Sequence, residues 1–243
     1  MKFQGNKTKI VNEILPLMLN NYKGHFFYDL FCGSCAVIQN VPKNYIRIAN
    51  DNNKYLVAMW QSLTLGKTFP NRIEKDFYDD VRDCFHGKNN NYDDDLVGWV
   101  GYMASFNGRF FSGGYSGHNV IGKNGKARDY ITENINNINK QLKEYDFKDI
   151  SWFHTDYFNV PIPNGSLIYC DIPYKDTKQY EFSKNFDYER FYEWCREMKK
   201  SGNTIFVSEY QMPDDFKCVW EKEVTNAMNP TITKKPVEKL FTL

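Results

Sequence analysis

Four short apolar runs, each cut off by a polar or glycine-bearing turn, constrain this chain more than any other feature. Residues 25–31 (HFFYDLF) stop at Cys32-Gly33-Ser34, and residues 45–49 (YIRIA) stop at Asn50-Asp51-Asn52-Asn53. Residues 166–170 (SLIYC) stop at Asp171-Ile172-Pro173-Tyr174, and residues 203–208 (NTIFVS) form a fourth run. Apolar runs of this length, bounded by turn formers, read as strands buried on both faces. Helical spacing lies between them. It begins with Ile10, Val11, Ile14, Leu15, Met18 and Leu19, continues over about 35–41 and 54–64, and returns over about 188–200, with Asp187 as a candidate N-cap. Strand–turn–helix units repeated in this way predict βαβ connections and a parallel sheet. Two further strand candidates lie near 216–223 and 238–242.

The middle of the chain has a different character. Residues 73–86, 94–107 and 129–145 read as helices, and residues 105–130 hold six of the fifteen glycines. That stretch is too irregular for a core element and too aromatic and basic for an idle linker. The expectation is an α/β core from residues 1–64 and 146–243, interrupted by a mostly helical insert at 65–145. A length of 243 residues accommodates one sizeable core and such a lobe.

A net charge of +1 excludes a uniformly basic nucleic-acid binder, so any contact with an acidic partner must come from local patches. Two acid-free segments qualify: residues 1–10 with Lys2, Lys7 and Lys9, and residues 105–128 with Arg109, Lys123, Lys126 and Arg128. Aromatic residues make up 17%, which core packing accounts for without invoking base stacking. No run of 18 apolar residues and no apolar leader is present, so no membrane span is expected and the six cysteines are expected reduced in a cytoplasm.

In open parallel sheets, ligands bind beyond the carboxyl ends of the strands. After the first strand, Asp29-Leu30-Phe31-Cys32-Gly33-Ser34 offers a glycine turn that lets a ligand approach the backbone, although a plain βα turn would look the same. Asp51 lies 18 residues beyond Gly33, a spacing that suits an acceptor for ribose hydroxyls and equally suits a helix cap. Asp171-Ile172-Pro173-Tyr174 is the most specific feature. An exocyclic amino group on a purine is a poor nucleophile because its lone pair is delocalised into the ring. An aspartate and a neighbouring backbone carbonyl can accept its two N–H bonds and aim the lone pair, proline fixes the turn, and tyrosine offers a flat face to an unstacked base. A strand-ending Asp-Pro turn is the plain alternative.

Together these features resemble the Dam-like family of DNA adenine-N6 methyltransferases over nearly the whole chain. Phe3-Gln4-Gly5-Asn6-Lys7 resembles the family's first cofactor motif, 29–34 its S-adenosylmethionine loop, and Asp51 its ribose-binding acid. Asn107-Gly108-Arg109 resembles the recognition insert, Asp156 falls where the family carries an acid near the cofactor's adenine, and Asp171-Ile172-Pro173-Tyr174 corresponds to the catalytic Asp-Pro-Pro-Tyr. The resemblance implies a Rossmann-like S-adenosylmethionine-dependent methyltransferase core. Lys7, Asp29, Phe31, Cys32, Gly33, Ser34, Asp51 and Asp156 would hold the cofactor, and Asp171, Ile172, Pro173 and Tyr174 would catalyse. Asn107, Arg109, Lys123, Lys126 and Arg128 would meet DNA. It further implies S-adenosylhomocysteine as product, no metal, double-stranded DNA as partner, a monomer, and the cytoplasm of a prokaryotic or phage-infected cell, with a restriction-modification role among the family's settings. Asn6, Cys35 and Ile172 depart from the family's usual glycines and proline.

Three rival readings remain at this level. An RNA amino methyltransferase would share the core, and a decayed homologue would bind DNA or cofactor without turnover. A redox protein built on Cys32-Gly33-Ser34-Cys35 would leave the catalytic tetrapeptide unexplained. Zinc lacks a second C-x-x-C, and the four histidines form no metal or triad pattern. The acidic run Asp93-Asp94-Asp95 reads as a solvated helix cap.

Overall fold

The computed structural model describes residues 1–3, 5–121, 125–175, 185–224 and 237–243. In chain order the elements are α1 (Val11–Leu19), β1 (Phe26–Asp29), β2 (Ile46–Asn50), α2 (Lys54–Thr64), α3 (Lys75–Phe85) and α4 (Asp94–Ala104). The short hairpin β3 (Val120–Ile121) and β4 (Ala127–Arg128) follows, then α5 (Tyr130–Glu144), β5 (Ile150–Phe153) and β6 (Leu167–Asp171). The chain ends with α6 (Tyr188–Lys200), β7 (Thr204–Ser208), β8 (Lys217–Glu223) and β9 (Val237–Thr242).

Seven strands form one sheet in the order β5-β2-β1-β6-β7-β9-β8. The first five are mutually parallel, and β9 runs antiparallel to both β7 and β8. From β1 the chain steps outward to β2 and β5, then returns to lay β6 on the other side of β1. That reversal makes the carboxyl ends of β1 and β6 a topological switch point, the place where open α/β sheets bind ligands in a crevice.

Side chains alternate across the sheet as the strand pleat requires. Phe27, Ala49, Leu167, Tyr169 and Phe206 face one layer, whose buried cluster also includes Leu56 of α2, Val100 of α4 and Ile135 of α5. Tyr28, Ile48, Ile168, Cys170, Ile205 and Val207 face the other, against Phe191, Trp194 and Cys195 of α6. Covering both faces explains why the strands read as unbroken apolar runs. The insert is not a separate lobe in its packing, because α4 and α5 contribute to the same buried cluster as the sheet. α4 is buried nearly all round, and a Cβ at Gly98 would lie 2.1 Å from the Tyr55 carbonyl oxygen, so α4 can approach α2 closely only with glycine there.

The helix starts follow local capping. Asn53 accepts from the Tyr55 and Leu56 amides, Asp129 from Thr132, and Asp187 from Arg190, which satisfies donors that a first helical turn leaves unpaired. Three expectations need correction. The helix anticipated at 35–41 is a single 3-10 turn, Ile38–Asn40, because Cys35 takes a left-handed φ of 61° and Pro42 follows directly. β5 was not anticipated; its four residues pair with β2 at the sheet edge and carry too short a pattern to stand out. Asp93 makes no side-chain cap bond at α4, and Asp95 is buried against Lys67 and Ser62 rather than solvated.

Among the described residues, no helix is long and apolar enough to cross a membrane. Ile168 is fully buried on the central strand β6. Ile168→Ala is expected to cost about 2–5 kcal/mol of stability, read from the denaturant midpoint at unchanged slope; a loss within the ~0.5 kcal/mol of a surface substitution would contradict this placement.

Candidate active site

The loop after β1 is tied down from several sides. The Cys32 amide donates to the Asn50 carbonyl at 2.9 Å, and the Leu30 amide donates to the Tyr169 carbonyl at 3.1 Å. Asn50, at the end of β2, donates through Nδ2 to the carbonyls of Leu30 and Thr155 and accepts from the Thr155 amide, joining the ends of β1, β2 and β5. Gly33 has a φ of 46°, and a Cβ there would lie 2.7 Å from the Phe3 ring, so the turn and its packing both demand glycine. Its amide donates to Asp51 Oδ2 at 3.1 Å and its carbonyl accepts from Trp60 Nε1 at 3.1 Å. The Ser34 carbonyl accepts from Gln141 of α5 at 2.9 Å. Asp51 also accepts from the Asn53 amide at 3.0 Å, so it buttresses the loop while remaining half-buried.

Three aspartates gather at this edge. Burial pushes Asp51 up to about 6 and Asp171 up to about 6, and it raises Asp29 well above the ordinary carboxylate range, with Asp171 adding to the effect. Asp29 keeps Oδ1 buried without a hydrogen-bond partner. An edge of desolvated acids with one orphaned acceptor suits a ligand that brings positive charge and N–H or O–H donors. S-adenosylmethionine, with its sulfonium, ammonium and ribose hydroxyls, has that chemistry. Asp156 is exposed at the end of the β5 connection, where it accepts from the Phe158 amide. Phe31 packs among Tyr157, Phe186 and Phe191.

The tetrapeptide Asp171-Ile172-Pro173-Tyr174 lies at the end of β6, beside the β1 loop. Lys7, expected on the cofactor, is almost fully buried and places Nζ 2.8 Å from Asp171 Oδ1 and 3.7 Å from Glu238 Oε2. It donates to the Gly5 carbonyl and stands 4.9 Å from the centre of the Tyr174 ring. Its positive charge lowers Asp171, against the larger upward effect of burial. Tyr174 donates its hydroxyl to Glu238 at 2.6 Å, and the Pro173 carbonyl accepts from the Tyr188 hydroxyl at 2.9 Å. Ile172 is 2% exposed, with its side chain in the core beside Cys170, so the departure from proline is absorbed by packing. Glu238 and Tyr188 carry no signature in the sequence; Asn50 and Glu209 carry only their position immediately after an apolar strand.

The two cysteines of the C-x-x-C are buried, unbridged and raised in pKa, Cys32 chiefly through its hydrogen bond with Cys35 and Cys35 by burial. Such thiols are poor nucleophiles, which removes the redox reading. Among the described residues, no group of three or more His, Cys, Asp or Glu side chains could hold a metal.

The insert residues sit on the glycine-rich stretch. Asn107 has a φ of 56°, and Arg109 buries Nε without a partner while the rest of its side chain is partly exposed. Arg128 is clamped by Glu133 through two bonds of 2.7 Å and stacks on Tyr130, so much of its charge is spoken for. Lys126 is exposed, and Lys123 lies outside the described residues. The hairpin holds Ile121 at 75% exposure. His118, assigned no role from sequence, anchors this stretch through Nδ1 to Asp129 at 2.8 Å and accepts the Ile73 amide at Nε2.

Two solved structures of the rRNA methyltransferase AviRa from Streptomyces viridochromogenes align at 10% identity. One covers 97% of this chain and 84% of its own with a TM-score of 0.42, and the other covers 99% and 86% with a TM-score of 0.43. A comparison with curated protein sequences gave no match. A family model for D12 class N6 adenine-specific DNA methyltransferases matches residues 3–231. With that match over nearly the whole chain, the chain belongs to the D12 class of N6 adenine-specific DNA methyltransferases.

Proposed function

We propose that this enzyme binds S-adenosylmethionine over the β1 and β2 ends and methylates the 6-amino group of an adenine rotated out of duplex DNA. The observation that carries this reading is Asp171, a half-desolvated carboxylate at the switch point, flanked by Tyr174 and facing the acidic crevice. When bound, the cofactor supplies an electrophilic methyl on a sulfonium, so positioning is the protein's main contribution. Asp29, Asp51 and the Phe31–Ser34 backbone would hold the donor, with Asp156 at its adenine. A stacked adenine cannot present its amino group to that crevice, and extrusion costs a few kcal/mol of unstacking. Tyr174 would stack on the extruded base. Asp171, as carboxylate, and the Ile172 carbonyl would accept the two amino hydrogens, turning the lone pair toward the methyl.

Arg109, Lys126, Arg128 and Lys123 would meet DNA phosphates or guanine edges. The partner set is duplex DNA, the working unit a monomer, and the setting a prokaryotic or phage-infected cytoplasm. The direct test uses isotopically labelled S-adenosylmethionine and unmethylated duplex DNA, followed by digestion to nucleosides. Label in N6-methyladenine is expected. Label on cytosine, or transfer to RNA in preference to duplex DNA, would overturn the substrate.

Two further outcomes follow. Lys7→Met removes the charge that lowers Asp171, so the Asp171 pKa rises above about 6. The reaction needs the carboxylate and is lost as pH falls through that pKa, so the acid limb of the single-turnover rate is expected to move to higher pH in the variant. An unmoved limb would remove Lys7 from control of Asp171. Arg109→Ala is expected to weaken duplex binding or relax site choice by about 1–3 kcal/mol if it reads a base. Unchanged affinity and unchanged preference in a competition assay would remove it from the interface.

A further inference from the structure

The backbone ladder between β6 and β7 ends at the pair Asp171 and Ser208. The next residue on β7's side, Glu209, is 0% exposed. Its Oε2 accepts the amide of Lys175 at 2.8 Å, and its Oε1 accepts the amide of Tyr210. Lys175 follows Tyr174 directly. The side chain therefore supplies a rung beyond the last backbone rung, and that rung grips the far end of the catalytic tetrapeptide. The near end is fixed by Asp171 in the strand, and the middle by Tyr188 on the Pro173 carbonyl.

A carboxyl group is a costly choice for a buried site with no ion-pair partner among the described residues, and a hydroxyl or amide oxygen would satisfy one amide. Only a carboxylate accepts two divergent N–H bonds with no donor of its own to mismatch. We infer that Glu209 is a positioning residue for methyl transfer, whose ionised carboxylate holds the 171–175 backbone so that Asp171 and the Ile172 carbonyl converge on one amino group. The inference rests on the function proposed above.

Burial pushes Glu209 up to about 7, against the pull of its two amide donors. The charged and titratable groups around it are Asp171 of β6, Lys7 of the N-terminal segment, Tyr192 of α6 and its neighbour Tyr210. As pH falls through that range Glu209 gains a proton and loses one acceptor position. The wild-type rate is thus expected to fall through two ionisations on the acid side, those of Glu209 and Asp171.

The test is single-turnover methyl transfer at saturating S-adenosylmethionine and duplex DNA, measured across pH in wild type, Glu209→Gln and Glu209→Asp. For Glu209→Gln, a rate at least about tenfold lower is expected, with cofactor and DNA dissociation constants within about threefold of wild type. Its acid limb should retain a single ionisation. Glu209→Asp keeps the charge but is one methylene short of Lys175. It is expected to be slowed to a similar extent, and it carries the test if the glutamine variant does not fold. Wild-type rates with an unchanged acid limb in either folded variant would overturn the inference. So would a rate loss accounted for by an equal loss of folded protein in the thermal melt. The labelled base in the wild-type reaction reports separately on the proposed function, so failure of that reading is visible independently of the variants.

Discussion

The parallel pairing of β1 with β6 joins strands 140 residues apart in sequence, Phe27 with Leu167, and everything at the crevice depends on it. Without it, the loop after Asp29 and the tetrapeptide at Asp171 would belong to separate βαβ units. With it, two acids from distant segments come close enough for Asp171 to add to the cost of ionising Asp29. The long excursion between them carries α2 to α5, which cover one face of the sheet and deliver the glycine-rich hairpin. The loop after β1 and the glycine-rich stretch are therefore both tied to α5: Gln141 holds the Ser34 carbonyl, while Asp129 at its start holds His118.

Electrostatics at the crevice is arranged against stability. Asp29, Asp51, Asp171 and Glu209 all have raised pKa values, with burial as the first cause in each. A carboxyl whose folded pKa exceeds its unfolded value favours the fold while protonated and opposes it once ionised. These four groups thus contribute most at acid pH, and for Asp51, Asp171 and Glu209 that contribution is lost as pH rises through about 6 to 7. Ionisation is nevertheless the form that the proposed reaction requires, to accept amino hydrogens and to face a cationic donor. Lys7 offsets part of the cost from within the site, and backbone amides offset more at Asp51 and Glu209.

Much of this was legible in the sequence because it rests on local chemistry. Buried parallel strands announce themselves as apolar runs, the cap at Asp187 as a short polar residue before an amphipathic stretch, and the two strand-end motifs as polar breaks in fixed order. What was not legible depends on tertiary placement. Lys7 reads as a basic residue near a cofactor motif, yet its partner is an aspartate 164 residues away, brought near only by the sheet. Glu238 reaches Tyr174 because β9 inserts antiparallel between β7 and β8, an order no linear pattern encodes. The helix expected at 35–41 failed for a local reason the spacing could not reveal, the left-handed backbone at Cys35.

The central claim is that Asp171 acts as an ionised acceptor for the target amino group. The most direct measurement compares Asp171→Asn with wild type in single-turnover transfer, with cofactor affinity measured by calorimetry on the same samples. Asparagine keeps the shape but offers an amide donor where the account requires an acceptor. Transfer is expected to fall to background while S-adenosylmethionine binding persists. A near-normal rate in that variant would contradict it.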